Sequence, residues 1–162
     1  SSKSGLKGVF DGNGYTISNV WVPSFGMFSV MYGGVVQNVA FKNITAYGYY
    51  GCVIAQRVSG SSGVYSLLRN VYIEGTRFTY PVSDKNVGII SQNNMFARMQ
   101  NVVVVHTPNA EQLTLEHGYA KKGSRYGFMV SSYAHNHSTT YTKGYSDVYF
   151  IGDMAIKEGW RN

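Results

Sequence analysis

Residues 26–41 read GMFSVMYGGVVQNVAF: an apolar segment opened by a glycine, a Tyr-Gly-Gly turn, and a second segment whose apolar residues alternate with others. Both halves recur. The second returns as ISNVWV at 17–22, VQNVAF at 36–41, LRNVYI at 68–73, MQNVVV at 99–104 and YSDVYF at 145–150. The first returns as GMFSV from Gly26, GCVIA from Gly51, GIISQ from Gly88 and GFMVS from Gly127. The two alternate strictly along the chain, which marks a repeat array of stacked supersecondary units.

Within the Asn-Val segments a period of two sends one set of side chains inward and the other outward. Three inward columns follow. The first is Ile17, Val36, Leu68, Met99 and Tyr145; the second is Val20, Val39, Val71, Val102 and Val148; the third is Val22, Phe41, Ile73, Val104 and Phe150. The first and second columns are three residues apart, an odd spacing that requires a bend between them. At that bend stand Asn19, Asn38, Asn70, Asn101 and Asp147. A polar residue fixed at one place in every repeat predicts a ladder of side-chain amides bonded to the copies above and below.

A repeat of two short strands cannot bury its own apolar face, so successive copies must share one core. Parallel connections coil to the right. The expected architecture is therefore all-β: a right-handed parallel β-helix, or solenoid, of about five coils with long loop insertions. All 162 residues read as one such domain, a module of a larger protein. Residues 153–162, with Met154, Ile156 and Trp160, are the expected C-terminal cap.

The run Gly12-Asn13-Gly14-Tyr15-Thr16-Ile17-Ser18-Asn19, followed by Gly-apolar-apolar and Asn-Val strands, resembles the opening coils of pectate-lyase-like β-helix proteins. The units at 26–41 and 88–104 are similar to the GLUG-type repeats of large bacterial surface proteins. The resemblance covers most of the chain. It implies a fold rather than an activity, because β-helices of this kind serve as adhesins, phage fibres, and polysaccharide lyases or hydrolases.

Composition agrees with many short strands and tight turns: 19 Gly and 14 Tyr, against only 3 Pro. Hydrophobic residues make up 44% and charged residues 14%, which excludes a disordered chain. The formal net charge of +6 suits an anionic partner such as an acidic glycan; nucleic acid is not favoured. A single cysteine, Cys52, precludes an internal disulfide and reads as a small buried hydrophobe. No apolar run is long enough to insert into a membrane.

Insertions concentrate at one corner. From each Asn (or Asp) to the next Gly-apolar strand the separations grow through 7, 13, 18 and 26 residues. Loops leaving one corner project from one face, which in solenoids often carries binding. The expected loops are 42–50, 74–87 and 105–126. They supply Tyr47, Tyr49, Arg77, Tyr80, Lys85, Tyr119, Lys121, Lys122 and Arg125 as candidate ligand-binding residues, aromatic rings for sugar faces and cations for negative groups. The segments 56–67 and 132–144, polar and Ser-rich, read as loops on a second corner. Outward positions Trp21, Ala40, Tyr72, Val103 and Tyr149 form an apolar stripe, the expected interface with neighbouring chains or domains.

Chemistry is sparse. Asp11-Gly12-Asn13-Gly14 reads as a tight turn, without the later acidic ligands of a calcium loop. His135 and His137 have no nearby partner to complete a metal site. Among eight carboxylates, Glu74 and Glu116 with Arg77 are the best catalytic set if the protein is an enzyme. No cofactor or metal is expected. The leading expectation is a non-catalytic structural and binding module of a surface or virion protein, extracellular, recognising a glycan or protein receptor. A polysaccharide lyase or glycoside hydrolase is one alternative, and a purely structural virion component is another.

Overall fold

A computed structural model of the protein describes residues 5–23, 25–47, 52–61, 63–79, 87–94, 97–105, 126–127, 130–133 and 145–151. The described residues are strands and turns, and the strands pair in parallel. In one sheet β5 (Val35–Lys42), β8 (Ser66–Glu74), β12 (Ala97–Val105) and β15 (Tyr145–Ile151) lie side by side in that order. Below β5, β1 (Val9–Asp11) pairs with its first half and β2 (Thr16–Ser18) with its second. A second sheet has the order β4 (Val30–Tyr32), β7 (Ala55–Ser59), β11 (Ser91–Asn94) and β14 (Val130–Tyr133). The third joins β3 (Trp21–Val22), β6 (Thr45–Tyr47) and β9 (Arg77–Thr79), and a short pair joins β10 (Val87–Gly88) to β13 (Tyr126–Gly127).

Each strand pairs with the strand in the same place of the next repeat. Val36 pairs with Leu68 and Leu68 with Met99; Phe41 pairs with Ile73 and Ile73 with Val104. Residues of one column thus stack directly, and they turn into a single buried cluster with Met31, Ile44, Ile54, Val58 and Ile90. Phe41, Leu68, Ile73 and Met99 are fully enclosed. Burial of one such side chain stabilises the fold by about 1.5–3 kcal/mol. Cys52 is buried as well.

The bend expected between the first two columns is a single left-handed residue. Asn38, Asn70, Asn101 and Asp147 have φ of 53, 51, 52 and 53°. Asparagine tolerates this region better than other side chains, because its short amide bonds locally. The amides also form the expected ladder: Asn70 Nδ2 donates to Asn38 Oδ1 at 2.8 Å, and Asn101 Nδ2 to Asn70 Oδ1 at 3.0 Å. Every link donates towards the preceding repeat.

Three sequence expectations are corrected. First, ISNVWV at 17–22 is not equivalent to VQNVAF. Phe10 pairs with Val36 and Ile17 with Phe41, so Phe10 and Ile17 occupy the first and third columns, in place of Ile17 and Val22. The cause is the turn at Gly12 to Tyr15, closed by the Tyr15 amide donating to the Gly12 carbonyl at 2.8 Å, which splits this strand in two. Gly12 packs so closely on β5 that a Cβ there would lie 2.5 Å from Val39 Cβ. Asn19 consequently falls outside the ladder, and Asp11 stands at its base, accepting from Asn38 Nδ2 at 3.1 Å.

Second, the residue level with Gly88 is Cys52, where a glycine was expected. Val53 N donates to Ile89 O at 2.8 Å and Ile54 N to Ile90 O at 3.1 Å, which sets Cys52 beside Gly88. Third, the segments read as loops contain strands. The 42–50 and 74–87 segments hold β6 and β9, and 56–67 begins in β7 and ends in β8. Serine made that last segment look like a loop, yet Ser59 and Ser66 are buried. Their hydroxyls satisfy the corner: Ser59 Oγ donates to Met31 O at 3.0 Å, and Ser66 Oγ accepts from Gly33 N at 2.9 Å. The expected cap at 153–162 lies outside the described residues.

The ladder can be separated from the bend by substitution. Asn70→Gly keeps the left-handed backbone and removes the amide links, an expected loss of about 1 kcal/mol. Asn70→Ala adds the left-handed penalty, for an expected loss of about 2–3 kcal/mol in urea unfolding. Asp147 holds the next ladder position, where the side chain has no amide N–H to donate to Asn101 Oδ1. Asp147→Asn is expected to extend the ladder and raise stability by about 0.5–1 kcal/mol in the same assay.

Candidate binding face

The third sheet is built on a second left-handed corner. Asn19, Asn43 and Gly75 have φ of 57, 52 and 67°, and each is followed two residues later by the first residue of β3, β6 or β9. Asn43 Nδ2 donates to Asn19 Oδ1 at 3.4 Å. In the third repeat the position is glycine, where a Cβ would lie 2.6 Å from Asn43 Oδ1. Backbone bonds continue the register: Thr45 N donates to Val20 O at 3.0 Å, and Arg77 N to Ile44 O at 2.8 Å.

Alternation then divides the side chains. Val22 and Ala46 pair with each other and are buried. Their neighbours along the strands, Trp21 in β3 and Thr45 and Tyr47 in β6, face out. Trp21 pairs with Thr45 and Thr45 with Arg77, so one outward row reads Trp21, Thr45, Arg77 across three strands. Tyr47, two residues further along β6, faces the same way. Trp21 is 69% and Tyr47 49% exposed. Their ring centroids are 6.4 Å apart and the planes are inclined by 31°. Two large rings held this way on paired strands give a shallow aromatic surface with a hydroxyl and a guanidinium in the adjoining positions.

Of the expected binding residues, the structure thus brings together Tyr47 and Arg77, on strands rather than loops. Tyr49, Tyr80, Lys85, Tyr119, Lys121, Lys122 and Arg125 lie outside the described residues. The expected interface stripe is corrected at one end: Trp21 belongs to the third sheet. Its place beside Ala40 is taken by Thr16. The rest of the stripe is continuous, since Ala40 pairs with Tyr72, Tyr72 with Val103, and Val103 with Tyr149. Tyr149 and Ile151 are 54% and 55% exposed, so the apolar character of this outer face increases towards β15.

The sequence did not single out Trp21 as a neighbour of Tyr47 and Arg77 because the third strand was not recognised. A signal was there. Asn19-Val-Trp-Val, Asn43-Ile-Thr-Ala and Gly75-Thr-Arg-Phe each place a residue suited to positive φ before a short alternating run.

Three carboxylates fall among the described residues. Glu74 forms an ion pair with Lys42, Oε2 to Nζ 3.1 Å, and Lys42 also lies 5.5 Å from the ring centre of Tyr72. Burial, and then the charge of Glu74, push the Tyr72 phenol up against the pull of Lys42. Asp11 accepts from Asn13 N at 2.9 Å, from Gln37 Nε2 at 2.6 Å and from Asn38. Asp147 stands at the ladder position next to Asn101. Glu116 and the four histidines, including His135 and His137, lie outside the described residues. Among the described residues no three His, Cys, Asp or Glu side chains cluster as metal ligands, and no helix is long and apolar enough to cross a membrane.

Compared with protein-family models, with curated proteins and with solved structures, the chain matches none.

The hydrogen bonds to Asp11, first from the Asn13 amide and then from Gln37 and Asn38, hold its carboxyl below the usual range. A carboxyl whose pKa is lowered by folding contributes stability above its unfolded pKa, and that contribution is lost as pH falls through the folded value. Acid titration of the melting temperature should show this loss below the ordinary aspartate range. In Asp11→Asn that part of the pH dependence should be absent.

Proposed function

We propose that the chain is a right-handed parallel β-helix of about five coils, serving as a non-catalytic binding and structural module of an extracellular surface or virion assembly. The fold reading is supported by the strand order. Chain segments visit the second, first and third sheets in turn as β4, β5 and β6, and again as β7, β8 and β9, and each pairs in parallel with its counterpart. Right-handedness follows from the general chirality of parallel crossovers. The sequence resemblance to pectate-lyase-like and GLUG-type repeats points the same way.

The ligand we assign is a glycan, and the observation that carries it is the exposed Trp21–Tyr47 pair. Water gains little from two large flat rings, whereas the C–H face of a pyranose ring packs on them through dispersion and removes apolar surface from solvent. A strand-borne platform is also pre-organised, so less conformational entropy is lost on binding. Glu74 and Asp11 support the non-catalytic reading, because both carboxylates already serve structural contacts and a glycosidase needs two that face each other across a bond. The outer row Tyr72, Val103 and Tyr149, with Ile151, is the surface we assign to packing against a neighbouring chain or domain.

A glycan array including neutral and acidic saccharides tests the reading. Trp21→Ala and Tyr47→Ala should each weaken binding by about two- to tenfold, as expected for the loss of one aromatic contact of about 0.5–1.5 kcal/mol. Circular dichroism and the melting temperature should be nearly unchanged, since both side chains face out. Absence of binding to every saccharide would overturn the glycan assignment.

A further inference from the structure

The first coil has strands above it and, among the described residues, none below: β1 and β2 pair only with β5, and β3 only with β6. Backbone bonds show which groups are left pointing down. Val35 N donates to Gly8 O at 3.0 Å and Gly12 N to Gln37 O at 2.9 Å, so by alternation the N–H and C=O of Val9 and Asp11 face away from β5. In β2, Ala40 N donates to Tyr15 O at 3.2 Å and Asn19 N to Lys42 O at 3.1 Å, which turns Thr16 and Ser18 away. An edge of this kind is a template for another strand.

The core is open on the same side. Phe10 and Ile17 pair with Val36 and Phe41, and Val20 stands below Ile44. Val36, Phe41 and Ile44 are fully buried, whereas Phe10, Ile17 and Val20 are only partly so. Side-chain polarity adds to this. Asn43 Nδ2 donates to Asn19 Oδ1 at 3.4 Å, and among the described residues Asn19 Nδ2 has no acceptor of its own. The exposed carboxylate of Asp11 can only accept.

We infer that the underside of the first coil receives a coil-forming segment of a neighbouring polypeptide chain, added in parallel beneath β1, β2 and β3. The edges of these strands follow one path around the corners of the fold, so an occupant that meets all of them must turn where this chain turns. Its chemistry follows from the edge: apolar side chains under Phe10, Ile17 and Val20, an acceptor such as an asparagine Oδ1 under Asn19, and a donor under Asp11. Parallel addition keeps each of these in its column, as the pairing of β5, β8, β12 and β15 does. Main-chain bonds then supply affinity and the apolar columns fix the register, the mode of strand addition at a sheet edge. This surface is distinct from the aromatic row, and the inference does not depend on the glycan reading.

The test uses the full chain and a synthetic peptide of residues 35–47, VVQNVAFKNITAY, the segment that stacks on this coil from above and carries Gln37 and Asn43 level with Asp11 and Asn19. Amide exchange is followed by NMR. In the chain alone at low concentration the amides of Val9, Asp11, Thr16 and Ser18 should exchange quickly, and the peptide should slow them. Val9→Ala should bind the peptide like the unaltered chain. Val9→Pro removes a downward N–H and spares the bonds to β5, so the Val35 amide should stay protected while the peptide binds about tenfold more weakly. Thr16→Pro makes the same test in β2. Protection of these amides in the free chain at every concentration would mean that the edge is already covered and would overturn the inference. Protection that rises with protein concentration in the absence of peptide would assign the underside to a second copy of this chain instead. A peptide that fails to bind, or that binds both proline variants undiminished, would overturn it as well. Equal binding of the reversed sequence would overturn the parallel direction.

Discussion

The left-handed residue at the bend of each Asn-Val strand is the constraint on which the rest of the fold depends. Two apolar columns three residues apart cannot both face inward on a regular strand, whose side chains alternate with period two. One residue at positive φ changes the direction of the chain and restores both columns to the core. Asparagine meets two requirements at once there. It accepts the backbone conformation, and its amide donates to one repeat while accepting from another, so the bends of successive repeats are locked in register. The buried stacks of Phe41, Ile73 and Val104, or of Val36, Leu68 and Met99, are consequences of that alignment.

The same device, used a second time, creates the outward face of the third sheet. Asn19, Asn43 and Gly75 turn the chain into the third sheet, and alternation then exposes Trp21, Thr45, Tyr47 and Arg77 while burying Val22 and Ala46. The direction of these side chains is fixed by backbone pairing, not by the side chains themselves. A face assembled this way can change its outward residues with little effect on the core. The outer surface of the largest sheet shows the same freedom, running from Thr16 and Ala40 through Tyr72 and Val103 to Tyr149.

Charge plays a local part. Asp11 ends the amide ladder at its first repeat, where a group that only accepts hydrogen bonds is well matched to donors that all point towards it. At the other end Asp147 occupies the position of a donor. One residue type thus terminates the ladder favourably at one end and interrupts it at the other. The Lys42–Glu74 pair, partly exposed, adds little stability but sets the electrostatic surroundings of Tyr72.

The repeat, the parallel all-β class, the inward columns of the later copies and the amide ladder were legible in the sequence, because each is a local pattern copied several times. LRNVYI and MQNVVV announce the same strand whatever surrounds them. The first copy misled because ISNVWV has the right residues in the wrong place. Only the pairing of Phe10 with Val36 and Ile17 with Phe41 reveals the half-strand displacement produced by the turn at Gly12. The third sheet was equally hidden, since runs of two or three residues are too short for periodicity to declare. Sequence by itself determined what stacks on what within the repeated strands. Tertiary structure alone decided which short segments join a sheet and so which way Trp21, Tyr47 and Arg77 point, because a strand of that length is defined by its neighbours rather than by its own residues.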